Sequence, residues 1–478
     1  MDRRTFLSHL SQGACATALG SSLFLGGCGQ QTPKPNFVII LCDDLGYGDL
    51  GCYGNSVIQT PNLDRLTTEG LKLTDCYAAA PVCSPARAGM LTGRQPFRSG
   101  VYDWIPGGNP MHLPRTETTI ARLLKSAGYA TALCGKWHCN GKFNSSEQPQ
   151  PNDHGFDHWF ATQNNAAPSH ENPKNFVRNG ERVGPLNGYS STLIVEEAIQ
   201  WLRQRNPNQP FGLFVWLHSP HEPVATATEF VERYPAAKKP GEALYYGNVT
   251  QLDFEIGRLL QTLDELRLRD QTMVFFTSDN GPETLNRYQN AWRSHGSPGP
   301  LRGMKLHLYE GGIRVPGIIR WPGHTSAGTN CRELVSGVDL LPTICDIAGV
   351  QIPANRPIDG SSWLPIFNAN SIERNTPLWW FYYNAIGKPK LVLRQGDWKI
   401  LVHFSDEQTI SPGGGFSAAA MQFIQAAAFG NCELYNLHQD LKESVDLAER
   451  EPERVKQMRQ RLLNIFENAR QEAPVWEF

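Results

Sequence analysis

Four short apolar runs recur along the chain, and each ends in a polar cluster. Asn36-Phe37-Val38-Ile39-Ile40-Leu41-Cys42 runs into Asp43 and Asp44, and residues 129–134 run into Gly135, Lys136, Trp137 and His138. Residues 211–217 run into His218 and His221, and residues 272–277 into Ser278, Asp279 and Asn280. Unbroken apolar runs of this length predict strands buried on both faces, as in a parallel sheet. Helical patterns alternate with them. Thr60-Pro61 predicts the N-cap and first residue of a helix through Leu63 and Leu66, closed by Gly70. Ile120, Leu123, Leu124 and Ala127 keep helical spacing, with Gly128 as the stop, and residues 191–204 and 244–268 predict two amphipathic helices. Strand and helix in alternation imply an α/β sheet with helices on both faces. Ligands of such folds bind beyond the carboxyl ends of the strands, so the four polar clusters are expected to converge on one edge.

The texture changes after about residue 370. Residues 378–383, 390–394, 398–402 and 432–435 are short strand-like runs, and residues 453–469 form a terminal helical pattern. Between them residues 405–431 are rich in Gly, Ala and Ser, which suggests a lid or a disordered loop. The other end of the chain reads as a targeting segment. Asp2-Arg3-Arg4-Thr5-Phe6-Leu7 resembles a twin-arginine export motif, and the apolar stretch over residues 14–26 is shorter than the ~20 residues that span a bilayer. Leu25-Gly26-Gly27-Cys28 resembles the lipobox of bacterial lipoproteins, in which the cysteine is acylated. The expected organisation is a signal over 1–28, a tether over 29–35, a catalytic domain over 36–370 and a C-terminal subdomain over 371–478 carrying the 405–431 insertion. The expected location is outside the cytoplasm, periplasmic or on the cell surface, with Cys28 as a lipid anchor and no other membrane contact.

Length and charge narrow the function. The 478 residues suffice for one large domain and a smaller one, and 40% hydrophobic with 19% charged residues describes a globular protein. A net charge of −2 argues against a nucleic-acid partner, which calls for a basic excess. The 11 cysteines show no CxxC pair and no zinc-like His/Cys spacing.

One run carries more information than the rest: Cys83-Ser84-Pro85-Ala86-Arg87, within residues 81–94. It resembles the signature of the type I sulfatases, and the likeness extends from about Pro35 to the C-terminus. The resemblance implies an alkaline-phosphatase-like fold: a large mixed, mostly parallel sheet sandwiched by helices, plus a small C-terminal antiparallel sheet with a helix. It also implies conversion of Cys83 to formylglycine by a formylglycine-generating or anaerobic sulfatase-maturating enzyme, before export if the chain leaves the cell folded. The hydrated aldehyde would attack sulfur and expel the alcohol, and loss of the second hydroxyl proton would then release sulfate, a step closed to serine.

The remaining roles follow from the same resemblance. Asp43, Asp44, Asp279 and Asn280, with residue 83, match the metal ligands; an all-oxygen set suits a hard cation, Ca²⁺ foremost and Mg²⁺ as the alternative. Arg87 matches the residue that holds the diol and the metal-side carboxylates. Lys136 and His138 match contacts to diol and sulfate, His221 the histidine near the leaving oxygen, and Lys305 the lysine that binds sulfate. His218 is set aside as structural, and residues 309–316 are expected to support the Lys305 loop. The chain departs from the family pattern at Cys139-Asn140, where Leu-Gly is usual, which puts the local loop shape in question.

The N-terminal half resembles arylsulfatase A and N-acetylgalactosamine-6-sulfatase types, so a sulfated glycan is the expected substrate. Arg178, Arg293, His295 and Arg302 are candidates for a glycan subsite. The rival functions are a phosphate or phosphonate ester hydrolase of the same superfamily, and a lipoprotein that binds sulfated glycans without turnover.

Overall fold

All four apolar runs become strands, and they lie side by side. In the computed structural model, which describes residues 34–387, 390–405 and 415–478, the strands in chain order are β1 Asn36–Asp43, β2 Leu71–Leu73, β3 Cys76–Tyr77, β4 Ala130–Lys136, β5 His158–Thr162, β6 Val177–Arg178, β7 Glu181–Arg182, β8 Phe211–Pro220, β9 Thr272–Ser278, β10 Gly317–Arg320 and β11 Thr329–Cys331. Ten of them form one sheet in the order β11-β2-β10-β9-β1-β8-β4-β5-β6-β7. The predicted runs are its centre, β9-β1-β8-β4, all parallel; Ile39 sits opposite Phe214 on one side and Phe275 on the other. Antiparallel strands β10, β6 and β7 make the sheet mixed.

Alternation along β1 explains its unbroken hydrophobicity. Phe37, Ile39 and Leu41 enter one core, and Val38, Ile40 and Cys42 enter the other. Helices Cys83–Thr92, Ile120–Ser126 and Leu340–Ala348 supply Leu91, Leu124 and Ile344 to the first core. Helices Pro61–Thr68, Ser190–Gln204 and Pro240–Glu265 supply Leu66, Ile194 and Leu252 to the second. Pro61 opens its helix as predicted, but the Thr60 hydroxyl does not cap it; it accepts from the Gly51 amide at 2.9 Å and donates to Asp64 at 3.1 Å.

β12 Val335–Ser336 pairs with β3, and β13 Leu378–Tyr382, β14 Lys390–Gln395, β15 Trp398–Phe404 and β16 Phe429–Asn436 form a separate antiparallel sheet. The terminal helix, Pro452–Glu472, lays Met458, Leu462, Phe466 and Ala469 against it. One face of this sheet merges with the large core, where Phe97 lies 4.6 Å from Phe381 and 5.0 Å from Phe466, ring centre to ring centre. The other face, with Trp380, Tyr382 and Val392, packs with Tyr77, Cys83 and Leu306. Lys34–Phe478 thus forms one unit in which the small sheet walls the proposed site.

One expectation changes. The described part of the 405–431 insertion is not a bare loop: helix Ala418–Gln425, capped by the Ser417 hydroxyl, buries Met421, Phe423 and Ile424. These three apolar side chains outweigh the Gly/Ala texture around them. The described cysteines, nine in number, are all free thiols. The signal segment, Cys28 and the tether up to residue 33 lie outside the described residues, as do residues 406–414 of the insertion. No described helix is long and apolar enough to cross a membrane.

Candidate active site

The strand order dictates which side chains meet. Asp43 ends β1 and Asp44 follows it in a left-handed turn (φ 66°); Asp279 and Asn280 follow β9, the neighbour. Lys136 ends β4, and His138, at φ 53°, turns the chain back. The tight turn after β4 requires Gly135: at φ 118°, a Cβ there would meet the Trp216 carbonyl oxygen at 1.8 Å. His221 lies just beyond β8. Cys83 is the first residue of helix Cys83–Thr92, after Val82 in extended conformation. Lys305 comes from a loop that contacts the Asn280 turn, where Gly281 leaves no room for a Cβ beside the Gly311 carbonyl, 1.9 Å away.

A buried ion-pair network joins these groups. Lys136 Nζ donates to Asp43 Oδ2 at 2.6 Å, and Lys305 Nζ to Asp44 Oδ2 at 2.8 Å, with Glu283 3.7 Å away. Arg87 Nε and Nη2 both donate to Asp279 Oδ2, at 3.1 and 2.7 Å, while Nη1 donates to the Lys136 carbonyl at 2.9 Å. The Arg87 side chain is wholly buried and its guanidinium lies 5.3 Å from the Trp216 ring centre. Asn280 Nδ2 donates to Asp44 Oδ1 at 2.7 Å. His221 Nε2 faces Asp44 Oδ2 at 3.4 Å, and its Nδ1 donates to the Glu222 carbonyl oxygen.

The donor set fits a hard cation. Asp43 Oδ1 and Asn280 Oδ1 are buried oxygens without a hydrogen-bond partner among the described residues, and buried oxygens left so are costly. Ligand atoms of Asp43, Asp44 and His221 lie within 4.8 Å of one another. Three carboxylates and an amide oxygen close together suit a hard cation.

Burial and crowding of charge set the proton affinities. Burial opposes charge on Asp43, but Lys136, His221 and Arg87 together hold its carboxyl well below the usual range. Burial, then the charge of Asp43, push Asp279 up to about 7 against the pull of Arg87. Burial lowers His221 to about 3, with Lys305 adding to the effect, and drives His138 well below its ordinary value, with Lys136 adding. Burial raises the Cys83 thiol to about 11 despite Lys136 and Lys305. A thiol held there is protonated near neutrality and is a poor nucleophile.

Cys83, His138, His221 and Lys305 line a cavity of about 290 Å³. Lys136, Arg87 and the four acidic or amide groups do not themselves line it; they join it through Asp44, which is bonded to Lys305 and faces His221. No motif marked several of the other walls: Trp104, Asn164, Glu283, Arg287, Tyr288, Tyr382 and Asn384. Asn164 follows β5, one strand beyond β4, where an apolar run of only three residues, Trp159 to Ala161, hid the same strand-end logic.

The four subsite candidates are placed elsewhere or otherwise engaged. Arg178 is paired with Glu197. Arg302 lies 3.7 Å from the Tyr309 ring centre and donates to the Glu443 carbonyl, bracing the loop. His295 lines a different cavity, with Asp49 and Tyr53. Arg293 clamps Glu222, its Nε donating to Oε2 and its backbone amide to Oε1, both at 2.7 Å, next to His221. His218 accepts or donates to Thr162 at 2.7 Å and packs on His170 and Phe176, a structural role. Glu310, in the 309–316 run, is tied to Lys399 and Tyr77. Asn140, at the departure from the family pattern, is buried and donates to the Pro149 carbonyl at 2.7 Å.

Comparison with known proteins agrees with this geometry. Residues 35–350 match the family model described as Sulfatase, and residues 304–412 that described as N-sulphoglucosamine sulphohydrolase, C-terminal. The chain is 35% identical over 386 residues to the N-acetylgalactosamine-6-sulfatase of Homo sapiens, covering 76% of this chain and 70% of that protein. It is 32% identical over 424 residues to the steryl-sulfatase of Rattus norvegicus, covering 74% of each. Among solved structures, Ps i-CgsB in complex with k-i-k-neocarrahexaose superposes with a TM-score of 0.77 at 26% identity, over 92% of this chain and 94% of that one. The PsFucS1 sulfatase from Pseudoalteromonas sp. gives 0.76 at 26% identity, over 93% and 92%.

Proposed function

From the premise that the chain belongs to the sulfatase family and is a sulfuric ester hydrolase, we propose that it removes sulfate from a sulfated saccharide, with residue 83 as formylglycine and a divalent cation held by Asp43, Asp44, Asp279 and Asn280. The observation that carries this reading is the cavity in which Cys83 meets Lys305, His138 and His221 above two unpartnered buried oxygens. Formylglycine would supply a hydrated aldehyde as nucleophile toward sulfur. The cation, Ca²⁺ or Mg²⁺, would supply positive charge against the sulfate oxygens and the crowded carboxylates.

The chain's own residues do the rest. Lys305 and Lys136 are cations fixed by carboxylate bonds, so they need no reorganisation as negative charge builds on sulfate. Arg87 fixes the orientation of the Asp279 carboxylate with two bonds. His221 donates a hydrogen bond from Nδ1 to the Glu222 carbonyl, which leaves Nε2 as the unprotonated nitrogen facing the leaving oxygen. His138 Nε2 donates to the Ile105 carbonyl at 3.2 Å, so its buried Nδ1, without a partner among the described residues, is placed to accept from the residue 83 hydroxyl. Trp104, Leu306 and Tyr382 wall the cavity with apolar surface and limit water.

The saccharide class is supported by the relatives named above, N-acetylgalactosamine-6-sulfatase and the carrageenan-oligosaccharide complex. The test is release of inorganic sulfate from a panel of sulfated oligosaccharides and a steroid sulfate, and of inorganic phosphate from an aryl phosphate, comparing the natural protein with Cys83→Ala. Sulfate release from saccharides, abolished in Cys83→Ala, is expected. Faster cleavage of the phosphate or of the steroid sulfate would contradict it.

Export and anchoring at Cys28, with maturation by a formylglycine-generating or anaerobic sulfatase-maturating enzyme beforehand, belong to the same proposal. The Arg3-Arg4 pair and the residues before Cys28 support it. Cys28→Ala is expected to shift the protein from the membrane to the soluble fraction; unchanged fractionation would refute the anchor.

A further inference from the structure

A second, larger cleft of about 820 Å³ opens between the ends of β2 and β11 and the β14–β15 hairpin. It lies on the same sheet edge as the Cys83 cavity but three strands from β1, roughly 14 Å away at ordinary strand spacing. Five arginines and three carboxylates line it, an excess of positive charge. Two of the arginines are committed. Arg314 is bonded to Asp75, Glu310 and the Thr74 carbonyl, and Arg374 to Asp339.

The other three form no ion pair with a carboxylate among the described residues, although Arg394 faces Tyr77 and Glu310. Arg394 is only 3% exposed, yet neither its Nε nor its Nη1 has a hydrogen-bond partner among the described residues. The neighbouring carboxylate, Glu310, is already bonded to Lys399 through one oxygen and to Tyr77 through the other. Arg332 and Arg461, both exposed, lie near His438 at 3.3 Å and the Gln395 amide oxygen at 3.1 Å and have no carboxylate among the described residues bonded to them. A buried guanidinium with two idle donors, flanked by two arginines without carboxylate partners, is built for an oxyanion with adjacent oxygens.

We propose that this cleft is a second binding site that takes a sulfate-ester group of a saccharide chain, away from the group being hydrolysed. The inference rests on the sulfated-saccharide reading above, and it predicts that oligosaccharides long enough to reach the cleft bind better than single sulfated sugars. A sulfate ester and free sulfate share the oxyanion chemistry, so the test must separate them.

Cys83→Ala protein, which cannot turn substrate over, is titrated at low salt with a chondroitin 6-sulfate hexasaccharide and separately with inorganic sulfate. The titrations are repeated with Arg332→Ala/Arg461→Ala and with Arg394→Gln added. The surface pair keeps the test valid if the buried variant misfolds. Hexasaccharide affinity should fall about five- to tenfold in the double variant, from two solvent-screened ion pairs, with aryl sulfate turnover unchanged when Cys83 is restored. Hexasaccharide binding insensitive to all three arginines would overturn the cleft assignment alone. Inorganic sulfate bound in the cleft as tightly as the hexasaccharide would overturn the saccharide assignment. No hexasaccharide binding to any of these proteins would overturn the sulfated-saccharide reading itself and this inference with it.

Discussion

Replacing Lys305 by Met separates stability from turnover at one position. Lys305 is buried and bonded to Asp44 at 2.8 Å, with Glu283 at 3.7 Å. Removing one partner of a buried ion pair costs about 3–5 kcal/mol when the other stays charged. Asp44 keeps the Asn280 amide at 2.7 Å, and burial, then the charge of Asp43, raise its carboxyl against the pull of Lys305. Asp44 also keeps the proposed cation as a positive partner, so the loss should sit near the lower end, about 3 kcal/mol. The effect on catalysis is larger relative to its cause. Loss of one preorganised donor aimed at developing negative charge lowers turnover about 10²–10³-fold, or about 2.7–4 kcal/mol. The assay is kcat on an aryl sulfate at saturating Ca²⁺, with urea unfolding for stability and peptide mass to show that residue 83 is processed as in the natural protein. Turnover within tenfold of the natural protein, with normal processing, would refute the placement of Lys305 at the reacting sulfate.

Three further outcomes are expected. Chelation should abolish activity and lower Tm, and Ca²⁺ or Mg²⁺ should restore both; at a hundredfold excess over Kd the bound ion adds about 2.7 kcal/mol of stability, and a chelated protein of unchanged Tm would count against a structural oxygen site. His154 is buried, and burial, then Arg122, lower it to about 3 from 6.5, so the native state stays neutral while the unfolded chain protonates below about 6.5. Its contribution is therefore present at neutral pH and lost as pH falls from about 6.5 toward 3, about 2 kcal/mol at pH near 5; His154→Gln should narrow the difference in unfolding free energy between about pH 7.5 and pH 5, and an unchanged difference would contradict the assignment. Arg293→Ala should impair glycan and aryl sulfate turnover alike, because Arg293 holds Glu222 beside His221 and does not line the cavity; a selective loss on glycans would restore it as a subsite residue.

The centre of the fold was legible because β1, β4, β8 and β9 are buried on both faces and so show as unbroken apolar runs with polar ends. Their order in the sheet was not legible, yet any order of parallel neighbours puts Asp43, Lys136, His221 and Asp279 on one edge. Residues read from loops fared differently. Lys305 was placed through the family likeness alone, since no periodicity marks its loop. Arg178, Arg293 and Arg302 looked alike in sequence, but only the fold shows that Glu197, Glu222 and Glu443 already hold them. Trp104 and Tyr382 reach the cavity from a loop and from the small sheet, two places that local pattern cannot connect. The Ala-rich stretch at 418–425 read as loop because its apolar side chains are few, and burial of those few against Phe404 decides the matter.

The central claim is that residue 83 does not act as cysteine, and the mass of the peptide containing it, from protein made in its own host, tests that most directly. Formylglycine replaces SH₂ by O, a loss of about 18 Da relative to cysteine, and the account predicts that loss in the active protein. An intact thiol at Cys83 in protein that releases sulfate would contradict it.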